Sequence, residues 1–289
     1  MSATKADTIR QAVTNLNNLP TLAAISATVS ELFQNPGTSA AEAGEIISHD
    51  QVLAAKTLRL ANSAYFGFPS QIANVTQAVV LLGFNRVCEL ALTANIARSF
   101  KSGKDSQSKL DLKLLWEHSI VTAIAADVLS QQMAPHLERD AFSTGLLHDI
   151  GLLILAVCVP KDFEAVLELA AAKGCSVRDA ELELLGIDHG AVGSLLCERW
   201  RFPKPLCQAV LYHHTPMVVA GSQELPALAC MADMFAQATL IGTGADIRIS
   251  SIDPRVPSVL HLERAPLEPI LEKLFVGIRD ARPFFEMLE

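Results

Sequence analysis

The sequence predicts an all-α fold, and three observations carry that expectation. Apolar residues recur at helical spacing through nearly every segment. Alternating β-branched runs closed by Asn-Gly or Asp-Gly, the marks of strands and hairpins, are absent. Aromatic residues make up only 6% of the 289 residues while Ala and Leu are plentiful, which suits helices packed closely on one another.

Taken in order, the spacing predicts helices over 5–17, 20–35, 39–48, 51–62, 74–82 and 84–100. The third ends at His49-Asp50, a dipeptide that reads as a solvated cap. The fourth ends at Asn62-Ser63, and Tyr65-Phe66-Gly67-Phe68-Pro69 reads as a turn whose aromatics pack a junction. Arg59, Asn62 and Arg86 are the polar residues of this half that would serve a partner-binding edge instead. Lys101-Ser-Gly-Lys-Asp-Ser-Gln-Ser-Lys109 has no apolar anchor and marks a break. Beyond it come a helix over 111–132 with Trp116-Glu117-His118-Ser119 and one over 138–157 with His148-Asp149 inside it. Helices over 161–173 and 177–185 follow, then 190–200 behind a capping Asp188. The next, 204–214, closes on His213-His214, and 225–240 carries Asp233 in an apolar setting. Gly242 to Pro257 mixes Gly, Ser, Pro and Asp as a second break. The last helix, over 267–287, spaces Leu267, Ile270, Leu271, Leu274, Phe275 and Ile278 for docking on the body of the protein or, alternatively, on a partner. The breaks divide the chain into an N-terminal helical subdomain (1–104), a second helical subdomain with the His/Asp residues (105–243), and a linker with a C-terminal helix (244–289).

Charge narrows the function classes. The net charge is −8, a poor match for phosphate backbones or anionic lipid, so general nucleic-acid binding is not expected. The opening residues lack a basic flank before an apolar core. The longest apolar run, Ile150 to Val159, is about half a membrane span. None of the six cysteines forms a CxxC pair, and they read as inert core thiols in a reducing, cytoplasmic setting.

The chemistry concentrates in the second half. Asp149 lies in Gly145-Leu-Leu-His-Asp-Ile-Gly-Leu-Leu-Ile-Leu155, where an unpaired carboxylate costs several kcal/mol. It needs a cation, a wet cavity or a metal. His118, His148, His189, His213, His214 and Asp233 are the partners on offer, and neutral imidazole with carboxylate on facing helices is how bundles build metal sites. Without thiol spacing, one or two octahedral Fe, Mn or Mg ions are expected rather than structural Zn, if the site is filled. Each residue also has an ordinary structural alternative. His118 can bond a carbonyl, His213-His214 can cap a helix C-terminus, and His189 can simply follow its cap. One shared polar centre accounts for all of them together.

The order His118, His148-Asp149, Asp233 resembles the HD superfamily of metal-dependent phosphohydrolases, and His189 with His213-His214 resembles the extra ligands of its HD-GYP branch. The N-terminal half resembles the HDOD (HD-related output domain) family through Leu19-Pro20, Ile46-Ile47-Ser-His-Asp50, Leu58-Arg59-Leu60-Ala61-Asn62-Ser63-Ala64-Tyr65-Phe66-Gly67 and Val79 to Val87. Asp188-His189-Gly190-Ala191-Val192-Gly193 and Glu198-Arg199-Trp200-Arg201-Phe202-Pro203 extend the similarity to roughly residues 15–240. The resemblance implies an HD-domain-like helical bundle with an additional N-terminal helical subdomain. It also implies bacterial signal transduction beside receiver, GGDEF/EAL or kinase components.

The sequence departs from the catalytic branch at several positions. Leu152 stands where HD-GYP enzymes carry a lysine after Ile-Gly, Leu114 where they carry a glutamate, and Thr215-Pro216-Met217 replaces Gly-Tyr-Pro. Phosphodiester hydrolysis needs a metal-activated water and fixed positive charge at the developing oxyanion. Arg199, Arg201 and Lys204 are the basic residues on offer for that charge. The expectation is therefore a regulatory module that is non-catalytic or degenerate and works through protein contacts, with no catalytic residue assigned. The alternatives are a metal-dependent phosphohydrolase acting on a nucleotide or phosphodiester, and an iron- or oxygen-responsive binder.

Overall fold

The computed structural model describes residues 4–14, 39–48, 51–84, 86–87, 90–91, 110–239 and 252–288, and all regular structure among them is helical. The expected helix over 20–35, Leu19-Pro20, His49-Asp50, Asn85, Cys88 and the break Lys101–Lys109 lie outside the described residues. Two compact units form. One joins residues 1–16 to 105–271, and the other joins 17–104 to 272–289.

The helices are α1 (Lys5–Thr14), α2 (Ala40–Ser48), α3 (Gln51–Ala61), α4 (Val75–Leu82), α5 (Leu112–Met133), α6 (Glu138–Leu147), α7 (Ile150–Cys158) and α8 (Pro160–Lys173). They continue with α9 (Val177–Leu185), α10 (His189–Arg199), α11 (Lys204–Tyr212), α12 (Glu224–Ala238), α13 (Val256–Val259), α14 (Leu267–Asp280) and α15 (Arg282–Phe285).

In the first unit α5 is the central pillar. Asp111 caps it by accepting from the Lys113 and Leu114 amides at 2.9 and 3.1 Å. From Ile120 to Ser130 every residue is buried, the pattern of a helix enclosed on all sides. α6 and α12 pack along it, α10 packs on α7 and α11, and α1 lies against α7 and α10. The run Pro135–Cys158 is long and apolar enough to cross a membrane, but 83% of its most apolar window is buried inside the protein, so other helices already cover its apolar surface.

The expected single helix over 138–157 is interrupted at its centre. α6 stops at Leu147, Asp149 adopts φ −102°, ψ 11°, and α7 begins at Ile150. The cause is local. His148 Nδ1 donates to the Gly145 carbonyl at 2.8 Å, an acceptor that the Asp149 amide would use in an unbroken helix. Neighbouring residues on a regular helix point about 100° apart, whereas here His148 and Asp149 both face one centre. The expected helix over 267–287 also ends early, at Asp280. Pro283 lacks an amide hydrogen and sits in the first turn of α15.

In the second unit, Asn62 closes the turn after α3. Its Nδ2 donates to the Leu58 and Ile72 carbonyls at 3.0 and 2.9 Å, and its Oδ1 accepts from the Ile72 amide at 2.7 Å. Gly67 takes the left-handed conformation, φ 64°, that the turn requires. Tyr65 and Phe66 pack on Phe284, with centroids 6.0 and 6.5 Å away, and Arg59 pairs with Glu286. Arg86 is half-buried. In the first unit Cys197, Cys207 and Cys230 are buried free thiols. Burial pushes Cys207 up to about 11 and Cys230 to about 12, so both stay protonated at neutral pH.

Candidate metal centre

Separate elements of the first unit carry the side chains of the centre. His118 projects from α5, His148-Asp149 from the turn between α6 and α7, and Asp233 from α12. His189 is the first residue of α10, behind Asp188, whose Oδ1 accepts from the Ala191 amide at 2.9 Å. His213 and His214 follow α11. Two glycines bring the backbones close enough. A Cβ on Gly145 would stand 2.4 Å from the Thr122 carbonyl oxygen of α5, and one on Gly151 only 1.9 Å from the His189 carbonyl oxygen of α10. The helices bearing His118 and His189 therefore reach Asp149 because no side chain stands between.

The result is two donor groups. His118, His148 and Asp233 form one, and Asp149, His189, His213 and His214 form the other. In the first group His118 Nε2 lies 3.0 Å from Asp233 Oδ1 and 3.3 Å from His148 Nε2. In the second, His189 Nε2 lies 3.2 Å from Asp149 Oδ1 and 2.8 Å from His214 Nε2. Asp149 belongs to both. Its Oδ2 is 3.3 Å from His148 Nε2 and 3.9 Å from His118 Nε2, while its Oδ1 faces His189 and, at 3.5 Å, His213 Nε2. All members are buried except His214, which is partly exposed and marks the side on which the centre opens.

The outer nitrogens are already engaged. His148 Nδ1 donates to Gly145, His213 Nδ1 to the Val210 carbonyl at 2.7 Å, and His189 Nδ1 to Glu181 Oε2 at 2.7 Å. Such bonds fix the tautomer that turns an Nε2 lone pair inward, as metal-binding imidazoles require. His213 Nε2 is buried without a hydrogen-bond partner, an orphan acceptor aimed into the centre. The donor set is nitrogen and oxygen only, since Cys230, three residues before Asp233, is held as a thiol. These residues fit one or two divalent metal ions.

Without metal, protons balance the charge. Burial alone would lower the pKa of His148, but the Asp149 and Asp233 carboxylates raise it to about 9. His189 is likewise raised well above its usual value, burial being outweighed by Glu181 and Asp149. Burial would raise Asp149, yet His148 and His189 hold it well below the usual carboxylate range. Burial lowers His213 and His214. At pH 7.5 filling both donor groups is expected to expel about two protons, from His148 and His189, because ligation requires neutral imidazole. Titration calorimetry with Mn(II) in buffers of differing ionisation enthalpy measures this number, and a value of zero would contradict the charge pattern.

Three supporting residues escape a reading of the sequence for ligand types. Glu181 Oε2 accepts from both the His189 amide (2.8 Å) and its Nδ1. Gln237 Nε2 donates to both Asp233 oxygens at 2.9 and 3.0 Å. Arg178 Nε donates to Asp188 Oδ2 at 2.8 Å. Glu181 had a visible signal, because it shares the buried side of α9 with Val177, Ala180 and Leu185. Gln237 lies one turn beyond Asp233 on the same helix face. The basic residues Arg199, Arg201 and Lys204 are placed elsewhere. α10 and α11 form an antiparallel hairpin with His189 and His213 at one end, as Gly190 beside the Leu211 carbonyl shows. The three cations occupy the opposite end, about 15 Å along the helix axis, and Arg199 donates to the Thr14 carbonyl.

The comparisons agree with this architecture. A structure from Geobacter sulfurreducens, an HDOD domain protein with unknown function, superimposes with a TM-score of 0.74 at 22% identity, covering 98% of this chain and 99% of that one. A structure from Shewanella amazonensis SB2B, provisionally named a phosphohydrolase, gives 0.73 at 25% identity with coverage of 98% and 99%. An uncharacterized protein of Treponema pallidum (strain Nichols) is 24% identical over 200 residues, 69% of this chain, which spans only 38% of the length of that relative. The HDOD domain family model matches residues 19–216, a stretch holding all the metal-type side chains except Asp233. With that match over more than half its length, the chain belongs to the HDOD family.

Proposed function

We propose that the first unit is a metal-dependent phosphohydrolase domain acting on a phosphoester in a signalling setting. The observation that supports it is the gathering of six other buried or nearly buried donors around a shared carboxylate, Asp149. His118, His148, Asp233 and Asp149 would hold one divalent ion, and Asp149, His189, His213 and His214 the other. Bound metals supply Lewis-acid polarisation of a phosphoryl oxygen and acidification of water. The protein's own residues fix the donors: Gly145 and Val210 carbonyls and Glu181 orient three imidazoles, and Gln237 orients Asp233. Leu152 and Leu153, shortly after Asp149 on α7, are buried and apolar.

A second reading, a metal-structured regulatory module without turnover, draws support from Leu152. This residue is buried and apolar where a lysine would contact phosphate, and it disfavours a cyclic dinucleotide substrate. In that reading the surfaces of the molecule engage receiver, GGDEF/EAL or kinase partners. Reconstitution with Fe(II) under anaerobic conditions, or with Mn(II) or Mg(II), followed by assay on bis(p-nitrophenyl) phosphate and p-nitrophenyl phosphate separates the two. Turnover that requires metal and vanishes in a folded Asp149→Asn variant is the expected result. Protein carrying two metal equivalents yet inert on both esters would give way to the regulatory reading.

A further inference from the structure

The proposed chemistry needs a fixed cation at the open side of the centre, and the basic residues at the far end of the α10–α11 hairpin cannot supply it. The geometry points to Arg178 as an oxyanion-binding subsite, one whose ligand class, a phosphate group, rests on the phosphoester reading above. Arg178 is the second residue of α9, and Glu181, which clamps His189, is three residues further along, on the same helix face. One face of α9 thus presents an anchor for ligand His189 and a guanidinium beside its cap.

The guanidinium is held but not used up. Asp188 Oδ2 accepts from Nε at 2.8 Å while Asp188 Oδ1 is committed to the Ala191 amide. The carboxylate is thereby fixed at both oxygens, one residue before His189. Neither Nη atom of Arg178 makes a hydrogen bond among the described residues, and the side chain remains 27% exposed. Two free, coplanar donors on a rigid anchor suit a phosphate better than a flexible ammonium would.

The position suits the opening as well. His214 is the one partly exposed member of the donor set; it lies 2.8 Å from His189 Nε2, and His189 directly follows Asp188, the residue Arg178 holds. An anion arriving at the open side would meet Arg178 and the His189–His214 edge of the centre. Sequence alone hides this residue, since an arginine near the start of an amphipathic helix reads as a solvated charge.

The test uses metal-loaded, full-length protein and inorganic phosphate as probe. Calorimetric titration should show Arg178→Gln binding phosphate about 10- to 100-fold more weakly than wild type, as expected for lost charge-assisted hydrogen bonds. Metal content should be unchanged. A second measurement needs no variant: phosphate should protect Arg178 of the wild-type protein from phenylglyoxal, read by peptide mass spectrometry. Unchanged phosphate affinity in a metal-replete Arg178→Gln, or modification of Arg178 at the same rate with and without phosphate, would overturn the subsite. Arg178-dependent phosphate binding without ester turnover would sink the hydrolase reading and leave the subsite standing. Turnover with Arg178-independent phosphate binding would do the reverse.

Discussion

Asp149→Asn is expected to empty both donor groups at once, whereas His118→Ala or His213→Ala should empty only its own. The difference follows from where the oxygens point. Asp149 Oδ2 lies among His148 and His118, and Oδ1 among His189 and His213. Asparagine keeps the shape but turns one of those oxygens into an amide NH2, which is a donor and no ligand. It also removes the negative charge that two divalent ions would share. Even outer partners of metal ligands are worth about 10- to 100-fold in affinity, so loss of a ligand common to both groups should exceed that for each.

The variant should nonetheless fold. In the metal-free protein Asp149 balances imidazolium at His148 and His189. When their anion goes, those rings can release their protons instead of remaining as unpaired buried charges. Helical circular dichroism should therefore persist while elemental analysis after desalting reports almost no metal. Retention of a full equivalent by Asp149→Asn would show that the two groups do not share this carboxylate, and complete loss in His213→Ala would show that they do not fill independently.

The part of this centre that was legible in the sequence was the part that violates helical patterning. A carboxylate and a histidine inside an apolar run demand compensation, and that demand points from Asp149 to the histidines and Asp233, which the structure brings together. Residues that obey the pattern stayed hidden. Arg178 sits on a helix with polar and apolar sides, and only the approach of α10 reveals that it faces the first turn of α10, whereas Glu181 on the apolar side broke the pattern. Proximity along the chain misleads in the other direction. Arg199, Arg201 and Lys204 are near His189 and His213 in sequence, but a helical hairpin puts its turn at the end opposite its two termini. The break at His148-Asp149 was invisible for a third reason. Its cause is a side chain taking a backbone acceptor, which no hydrophobic periodicity registers.

Gly151→Ala should be the most damaging one-carbon addition in the first unit, through sterics that helix propensity opposes. Alanine in a helix interior gains about 1 kcal/mol over glycine, and Gly151, the second residue of α7, can gain no more than that. Against that gain, the new Cβ would stand 1.9 Å from the His189 carbonyl oxygen, 2.7 Å from its carbonyl carbon and 2.9 Å from the Gly193 amide nitrogen. These are backbone atoms of α10, so no side-chain rotation relieves the clash and the helix itself must withdraw from α7. Overpacking of this kind costs about 1–3 kcal/mol and occasionally more. With backbone on both sides, a net loss of about 2 kcal/mol is expected, or about 4–8 °C in the melting temperature of a unit this size. His189 travels with α10, so its 3.2 Å approach to Asp149 Oδ1 should open and metal affinity should fall in that donor group. His118, His148 and Asp233 are not carried by α10 and should keep theirs. Gly190→Ala is the matched comparison, because its Cβ would meet the Leu211 carbonyl oxygen at 3.0 Å, a contact that a few tenths of an ångström relieve. Equal melting temperatures for the two variants, or metal loss spread evenly over both donor groups, would mean that the glycine crossing does not set the distance between Asp149 and His189.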